Sequence, residues 1–508
     1  MRQFNKLWIG LILGLMLVGM ACRLTSPTPV SWSGTPTAVA REATNAAIAL
    51  TQQAAVEEDV DLTPILTPTP IPLTPTPSPT IAVDGPWLVY HAPEEGVIQA
   101  YDIDAGVTLD IVLPEPIYTS DLVNGLSPDG HTLVVRAGSE YKTDELGLYL
   151  IDLPSIEITK ITPLLSLSVQ RNIVNNVGTR AFDTFRAVTR DDGLAWSPDG
   201  RFLAFSAALD ALSSDLFMWD TQNDRIERLN GVYSHSASPF WAPGSNWLIS
   251  QELGDFSGES GWRSEAVISL KIPSFSDQNT LYLPVTGSQG EIFLGWINAQ
   301  SFMSYSQTAE GHRMLRQVNV DTLVVNRIIP DSFGRAAIGP GTMAYAYTLD
   351  DEAAAAKGQV AGVYLVKAES ASPELIRSGV WTTLIWDPGG LFIASGMQGL
   401  VAFTPDSQNI FLPGESMARI SPSGNWIVAW GNEDSANTGA RLYQSPSGTR
   451  LQVLTDMKVE SVFWQPDSKA FFMLAEGSIY RLAFPDLRLD KIATGFTDDQ
   501  PLALSWVE

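Results

Sequence analysis

The side chains that could do chemistry are concentrated in five acidic stretches of the chain. These stretches lie at 137–145, 206–214, 251–264, 348–359 and 431–439, and together they carry twelve acidic residues against three basic ones. Carboxylates that lie close together can act as a general acid and base, and they can also bind a divalent cation or a basic partner. Aromatic side chains would add contact area to such a surface. The candidate binding residues are Glu140, Tyr141, Glu252, Asp255, Phe256, Trp262, Asp350, Asp351, Glu433 and Asp434.

No familiar catalytic motif accompanies these carboxylates. The Gly-x-Ser-x-Gly sequence of serine hydrolases is missing, and residues 258–261 read Gly-Glu-Ser-Gly, which has the wrong spacing. The histidines are too far apart in sequence to form a metal-binding motif; they are His91, His131, His235 and His312. We therefore expect no enzyme and no cofactor. The one cofactor that the acidic residues could bind is a divalent cation, because carboxylates are its usual ligands.

Charge and cysteine content exclude several other functions. The chain of 508 residues has a formal net charge of -25, with 56 acidic residues against 31 Lys and Arg residues. Such a surface would repel the phosphate backbone of a nucleic acid, so we expect no nucleic-acid partner. The single cysteine, Cys22, excludes an internal disulfide and a cysteine-rich metal site.

The N-terminus has the pattern of an export signal. Residues 1–21 combine two basic residues with an unbroken apolar run, which is typical of a signal peptide. The run ends at Gly-Met-Ala-Cys, residues 19–22, which resembles the lipobox of bacterial lipoproteins with glycine in place of the usual leucine. The resemblance implies lipidation of Cys22 and anchoring to the outer face of a bacterial membrane, at the cell surface or in the periplasm. The alternative is an ordinary signal peptide with an incidental cysteine.

A low-complexity segment follows the signal. Residues 22–82 are rich in Thr, Pro and Ala, and 63–80 consist almost entirely of Thr-Pro repeats. Such a composition cannot build a core and favours extended polyproline geometry. At roughly 3.1 Å per residue, the Thr-Pro repeats would span about 50 Å. We predict a disordered stalk between the membrane and the rest of the chain.

A repeated motif dominates residues 83–508. The best copy is Trp-Ser-Pro-Asp-Gly at 196–200, followed by an apolar run at 202–205. Eroded copies begin at Leu126, Trp241, Trp386, Ile420 and Trp464. Proline, aspartate and glycine in this order are typical of a tight turn between two strands. Two further short strands follow each copy, and a four-stranded unit repeating every 40 to 45 residues or so is typical of a propeller blade.

The motif is similar to the WD-like repeat of TolB-type β-propellers, and the resemblance covers 83–508. It implies an all-β fold, a single large propeller, for which we predict about eight four-stranded blades, with a range of roughly seven to nine. Residues 502–506 should pair with 87–90 and thereby close the ring. The repeated tryptophans are expected to pack between blades rather than to bind a sugar.

The path of the chain through each blade places the acidic stretches on one side of the disc. The turns of the motif and the turns between third and fourth strands are short, and they share one face. The acidic stretches connect second to third strands, and the insertion at 162–192 connects two blades. Both kinds of connection emerge on the opposite face, which we call the long-looped face. Repeat proteins usually bind their partners where insertions accumulate.

Two functions from different classes fit these features. The leading hypothesis is a monomeric, non-catalytic, lipid-anchored protein that binds another protein or a cell-envelope polymer through the long-looped face. The alternative is a propeller enzyme, a lyase or hydrolase that acts on extracellular polysaccharide with loop carboxylates as acid and base. A third interpretation treats the acidic residues only as a solubilising surface.

Overall fold

The computed structural model describes most of the repeat region. It covers 85–504 with the exception of 93–96, 119, 140–141, 176–180, 231–234, 259–260, 273–280, 285–290, 308–312, 323, 330–332, 340–343, 368–371, 387–390, 404–408, 432–438, 446 and 497–501. Cys22, the signal peptide at 1–21 and the stalk at 22–82 lie outside the described residues. Within the described residues, no helix is long and apolar enough to cross a membrane.

The repeated motif forms the tight turn that its residues predict. In the best copy, the Ser197 hydroxyl donates to Asp199 Oδ1 at 2.6 Å and accepts from the backbone N–H of Phe202 at 2.9 Å. The N–H of Gly200 donates to the carbonyl of Ser197 at 2.8 Å. Gly200 has a φ of 70°, a left-handed conformation that glycine adopts without a steric cost. The serine and aspartate are therefore explained by their hydrogen bonds within the turn, and a role as metal ligands is not needed to account for them.

Strands built on these turns form nine sheets within the described residues, and the sheets follow one another along the chain. Blade 1 contains β1 (Trp87–His91), β2 (Val97–Asp102), β3 (Val107–Val112) and the C-terminal β35 (Leu502–Leu504). Blade 2 contains β4 (Thr132–Ser139), β5 (Lys142–Asp152) and β6 (Glu157–Pro163). Blade 3 contains β7 (Leu194–Trp196), β8 (Phe202–Ala207), β9 (Asp215–Asp220) and β10 (Arg225–Arg228). Blade 4 contains β11 (His235–Trp241), β12 (Trp247–Ser257), β13 (Gly261–Lys271) and β14 (Leu281–Pro284).

The remaining five blades repeat the same order. Blade 5 contains β15 (Glu291–Asn298), β16 (Ser301–Gln307), β17 (Arg313–Asn319) and β18 (Val324–Ile329). Blade 6 contains β19 (Ala336–Ile338), β20 (Tyr345–Leu349), β21 (Gly362–Val366) and β22 (Glu374–Ser378). Blade 7 contains β23 (Thr383–Trp386), β24 (Phe392–Gly396), β25 (Gly399–Phe403) and β26 (Ile410–Pro413). Blade 8 contains β27 (Met417–Ile420), β28 (Trp426–Trp430), β29 (Ala440–Gln444) and β30 (Thr449–Thr455). Blade 9 contains β31 (Val459–Trp464), β32 (Ala470–Ala475), β33 (Ser478–Ala483) and β34 (Leu489–Thr494).

The predicted fold, an all-β single propeller, is confirmed. The nine blades lie at the upper end of the predicted range. Strand β35 pairs antiparallel with β1, with Leu88 opposite Leu504 and Tyr90 opposite Leu502, and this pairing closes the ring. Blade 2 has three strands, and its fourth position is held by an isolated bridge between Leu126 and Leu133. Closure supplies blade 1 with its fourth strand, and the edges that remain in the ring are short and protected.

The tryptophans of the motif hold neighbouring blades together. In four of them the indole N–H donates to a backbone carbonyl of the preceding blade, one residue before the anchor position of that blade. The bonds run from Trp196 to Gly125 at 2.7 Å, from Trp241 to Ala195 at 2.9 Å, from Trp296 to Phe240 at 3.0 Å and from Trp464 to Arg419 at 3.3 Å. Because the rings are also largely buried, the expectation that they pack between blades is confirmed.

Four helices interrupt the strands within the described residues. They are α1 (Asp121–Asn124), α2 (Leu167–Asn175), α3 (Ala181–Val188) and α4 (Asp351–Lys357). Helices α1 to α3 belong to connections between blades, and α4 connects the second and third strands of blade 6. All four therefore emerge on the long-looped face, where the sequence places its insertions.

Candidate binding face

The longest described feature of the long-looped face is a β-hairpin. Residues 251–264 were expected to form a loop, yet β12 and β13 continue through most of them, with Phe256 opposite Trp262 and Ser257 opposite Gly261. Gly261 has a φ of 72° at the turn. An aromatic pair across two strands stabilises such an extension. The hairpin is therefore a rigid projection of blade 4 rather than an irregular loop.

Aromatic side chains connect this hairpin to the inserted helix α3. The Phe256 and Trp262 rings meet edge to face with centroids 5.3 Å apart, and the His235 ring meets Trp262 at 5.4 Å. The Arg186 guanidinium of α3 lies 4.6 Å from the Phe256 ring centroid and 5.0 Å from that of Phe182. Cation–π contacts of this kind stabilise a packed surface. Phe256 and Trp262 are half-buried, so each presents only part of its ring to a partner.

Glu252 does not lie on the surface as its predicted place in a loop suggested. Its side chain is 1% exposed, because Glu252 lies within β12 opposite Ser236 of β11. The hydroxyl of Ser236 donates to Glu252 Oε1 at 2.7 Å, and the amide of Asn230 donates to the same oxygen at 3.2 Å. This carboxylate is part of the structure of blade 4 and cannot contact a partner directly.

The other described acidic candidates are exposed. Asp255 lies near the tip of the hairpin, and Asp350 and Asp351 lie at the start of α4. Asp350 is the N-cap of that helix, and its Oδ1 accepts the N–H of Ala353 at 2.8 Å. An aspartate at this position stabilises the helix, which gives Asp350 a structural role in addition to any role in binding. Glu140, Tyr141, Glu433 and Asp434 lie outside the residues whose side chains are described.

Buried ion pairs beneath this face were not expected from the sequence. Asp121 in α1 and Arg136 in β4 are both fully buried, with a shortest contact of 2.5 Å. Burial raises the pKa of Asp121 although Arg136 opposes the shift. Arg136 also donates to the carbonyl of Val188 at 2.7 Å, which ties α3 to the same blade. The only sequence signal is a lone arginine within the apolar run of β4.

Two more buried pairs repeat this arrangement elsewhere in the ring. Glu291 at the start of β15 pairs with Arg316 of β17 at 2.6 Å, and Glu415 before β27 pairs with Arg441 of β29 at 3.1 Å. Burial raises the pKa of both glutamates against the opposing charge of the arginines. Both pairs lie at strand ends that open onto the long-looped face. They fix the connections from which that face is built.

One cavity on this face lies between α1 and the end of the inserted segment. Its volume is about 770 Å³, and it is lined by Ser120, Val123, Asn124, Thr189, Arg190, Asp191 and Asp192. Arg190 contacts Asp192 at 3.0 Å, and the Ser238 hydroxyl donates to the same carboxylate at 2.6 Å. Burial would raise the pKa of Asp192, but these two partners lower it overall. Most residues that line this cavity are polar, and two of its three charged residues, Arg190 and Asp192, pair with each other.

The second cavity lies between blades 5, 6 and 7. Its volume is about 450 Å³, and its lining is Arg313, Phe333, Gly334, Arg335, Thr348, Leu349, Asp350, Val380, Trp381 and Thr382. These residues come from the start of β17, the connection between blades 5 and 6, the end of β20 and the connection between blades 6 and 7. Apolar side chains form part of the wall, and two arginines are present. We call it the arginine cavity.

No metal centre is evident in the described part of the chain. Within it, no group of three or more His, Cys, Asp and Glu side chains could hold a metal ion. The described acidic candidates also lie on different blades, Asp255 on blade 4 and Asp351 on blade 6. The arrangement suits contacts distributed over a wide surface rather than one chemical centre.

The fold resembles solved β-propellers at low sequence identity. A structure described as the eukaryotic initiation factor has 11% identity and a TM-score of 0.50, with 80% of this chain and 96% of that chain covered. Dipeptidyl peptidase 4 of Porphyromonas gingivalis has 13% identity and a TM-score of 0.45, with 77% of this chain covered and only 63% of the peptidase chain spanned. TolB from Acinetobacter baumannii has 14% identity and a TM-score of 0.29, with 58% and 64% covered. No known family model matches the chain, and no curated protein matches it in sequence. The protein is a β-propeller, and likeness at these identities extends to the fold alone.

Proposed function

We propose that this propeller is a non-catalytic binding protein of the bacterial envelope. It is exported, held at the outer face of a membrane by lipid on Cys22, and contacts a protein or an envelope polymer through its long-looped face. The observation that carries this proposal is the difference between the two faces. One face repeats the same short turn, whereas the other carries the inserted helices, the projecting hairpin and two cavities.

The charge of the long-looped face favours a partner with basic groups. Asp255, Asp351 and Glu352 are exposed on this face. Complementary charge accelerates association and selects partners, and its contribution falls as salt is added. The rigid hairpin and helix α4 would keep these carboxylates in fixed positions, which lowers the entropy lost on binding.

Binding of the full-length protein to isolated bacterial envelopes tests the proposal. The variant Asp255→Asn/Asp351→Asn/Glu352→Gln removes three exposed charges and leaves the cap residue Asp350 in place. The matched control removes three exposed aspartates from turns between third and fourth strands, on the opposite face: Asp104→Asn/Asp321→Asn/Asp486→Asn. We expect the first variant to bind about tenfold more weakly, roughly 1.4 kcal/mol, and the control to bind as the wild type does.

Two results would contradict the proposal. Equal weakening by both variants would show that general charge, and not the long-looped face, controls binding. Release of soluble oligosaccharide from the envelopes by the wild type would contradict the non-catalytic part. Protease treatment of the envelopes before the assay separates the two partner classes, because only a protein partner would be lost.

A further inference from the structure

The arginine cavity differs in charge from the rest of the long-looped face. Arg313 and Arg335 both line it, in a protein whose net charge is -25. No carboxylate of the described residues lies in ion-pair contact with either guanidinium. Asp350 also lines the cavity, but its carboxylate accepts the N–H of Ala353 as the cap of α4. Among the described lining residues, two arginines thus face one carboxylate, so the described lining of this concave site carries a net positive charge.

The two arginines are held in different ways. Arg313 donates to the carbonyl of Gly334, and its guanidinium lies 5.6 Å from the centroid of the Tyr305 ring. The backbone N–H of Arg335 donates to Thr348 Oγ1 at 2.8 Å, while its side chain is exposed. A Cβ atom on Gly334 would lie 2.5 Å from Thr348 Oγ1, so the connection between blades 5 and 6 packs closely against β20. The backbone of Arg335 is therefore held against β20, while its side chain is exposed.

An apolar wall lies beside these charges. Phe333, Leu349 and Trp381 are buried and line the cavity, and Val380 at its edge is 61% exposed. Ligand sites commonly combine such a wall with a few polar groups that fix orientation. Arginine binds a carboxylate through two parallel hydrogen bonds, which a point charge such as lysine does not reproduce.

We propose that the arginine cavity binds a carboxylate group of a peptide, with the adjacent apolar side chain of that peptide against Val380 and Trp381. This inference rests on the proposed binding function and narrows its partner to a protein segment. An acidic polysaccharide fits less well for two reasons. It brings hydroxyl groups to an apolar wall, and its many charges would be repelled by the carboxylates around the cavity.

Direct binding of defined probes to the full-length protein tests the inference. The probes are a dye-labelled hexapeptide ending in Leu-Phe with a free carboxylate, the same peptide with an amidated C-terminus, and a dye-labelled oligoglucuronate, each measured by fluorescence anisotropy. We expect the free acid to bind about tenfold or more tightly than the amide, since a hydrogen bond to a charged group is lost in the amide. Arg335→Gln should remove this preference, and Arg335→Lys should restore it only in part.

A matched control tests whether the effect is specific to the arginine of the cavity. Arg263→Gln removes an exposed arginine from the β12–β13 hairpin and should leave peptide binding unchanged. Equal affinity for the acid and amide peptides, or an Arg335→Gln variant that retains the preference, would overturn the inference. Arginine-dependent binding of oligoglucuronate without peptide binding would also overturn it.

The two proposals fail in different ways. If envelope binding depends on Asp255, Asp351 and Glu352 but no peptide binds, only the inference about the cavity is wrong. If peptides bind through Arg335 while neutralising those three acids leaves envelope binding unchanged, the inference about the cavity is correct. The proposed role of the acidic residues in envelope binding is then wrong.

Discussion

Removing the charge of Asp121 should destabilise the whole propeller. Asp121→Asn keeps the size and shape of the side chain, so the change acts on charge rather than on packing. Asp121 accepts bonds from Arg136 Nε at 2.9 Å, from Nη2 at 2.5 Å and from the backbone N–H at 2.8 Å. In the variant, Arg136 remains buried without a counter-charge.

The expected loss is about 3 to 5 kcal/mol, the usual cost of leaving one buried charge without its partner. The double variant Asp121→Asn/Arg136→Met should lose less, because it removes the buried charge of the arginine and keeps an amide oxygen that can accept the backbone N–H at position 136. It leaves the Val188 carbonyl without the 2.7 Å bond from Arg136, which costs about 1 to 3 kcal/mol. The single variant should therefore be less stable than the double variant.

Urea unfolding followed by tryptophan fluorescence measures both changes as shifts of the midpoint at unchanged slope. Asp490→Asn is the matched control, because Asp490 pairs with Arg488 at 2.7 Å on the exposed surface. An exposed pair contributes little, so this control should unfold with the wild type. A single variant as stable as the control, or a double variant less stable than the single one, would refute the reasoning.

Two other carboxylates give further predictions. Burial raises the pKa of Asp215 from 3.8 to about 6 although Arg228 opposes it. The folded state therefore binds this proton more tightly than the unfolded state, so the contribution of Asp215 to stability should fall as pH rises from about 4 to about 6 and then level off. The difference in urea midpoint between the wild type and Asp215→Asn should change across that range, with the wild type losing more stability than the variant as pH rises. Asp350→Ala should destabilise α4 by about 0.5 to 2 kcal/mol, and Asp350→Ser much less, as measured by amide hydrogen exchange at Ala353.

The fold could be predicted because its information is local. The Ser-Pro-Asp-Gly turn is held by hydrogen bonds among its own residues, so five residues are enough to identify it. The number of blades was harder to predict, because three copies carry no tryptophan. Blade 6 has Ile338 and blade 8 has Ile420 at the anchor position, and blade 2 has Leu126 with only an isolated bridge. Each still forms a blade, because neighbouring blades bury both of its faces.

The site was harder to predict because its structure depends on distant residues. Glu252 is buried because β12 extends through it and pairs it with Ser236 of β11, and nothing near it in sequence indicates this pairing. Helix α4 did leave a signal, since Asp350 precedes a run of alanines at 353–356, as an N-cap precedes a helix. The sequence contains no signal for the arginine cavity, because the residues that line it come from separate segments of blades 5 to 7.

The buried arginines explain how the connections of the long-looped face can be long and still be held in place on the ring. Connections between blades carry backbone carbonyls into the protein, and an unpaired buried carbonyl is costly. Arg136 donates to the carbonyl of Val188, and Arg441 donates to that of Gly439 at 2.9 Å while pairing with Glu415. An apolar side chain could fill the same space but could not satisfy these carbonyls. Because these buried arginine bonds hold the connections in place, the exposed residues of the connections can change without loss of the fold. A binding surface that adapts to a particular partner requires this tolerance.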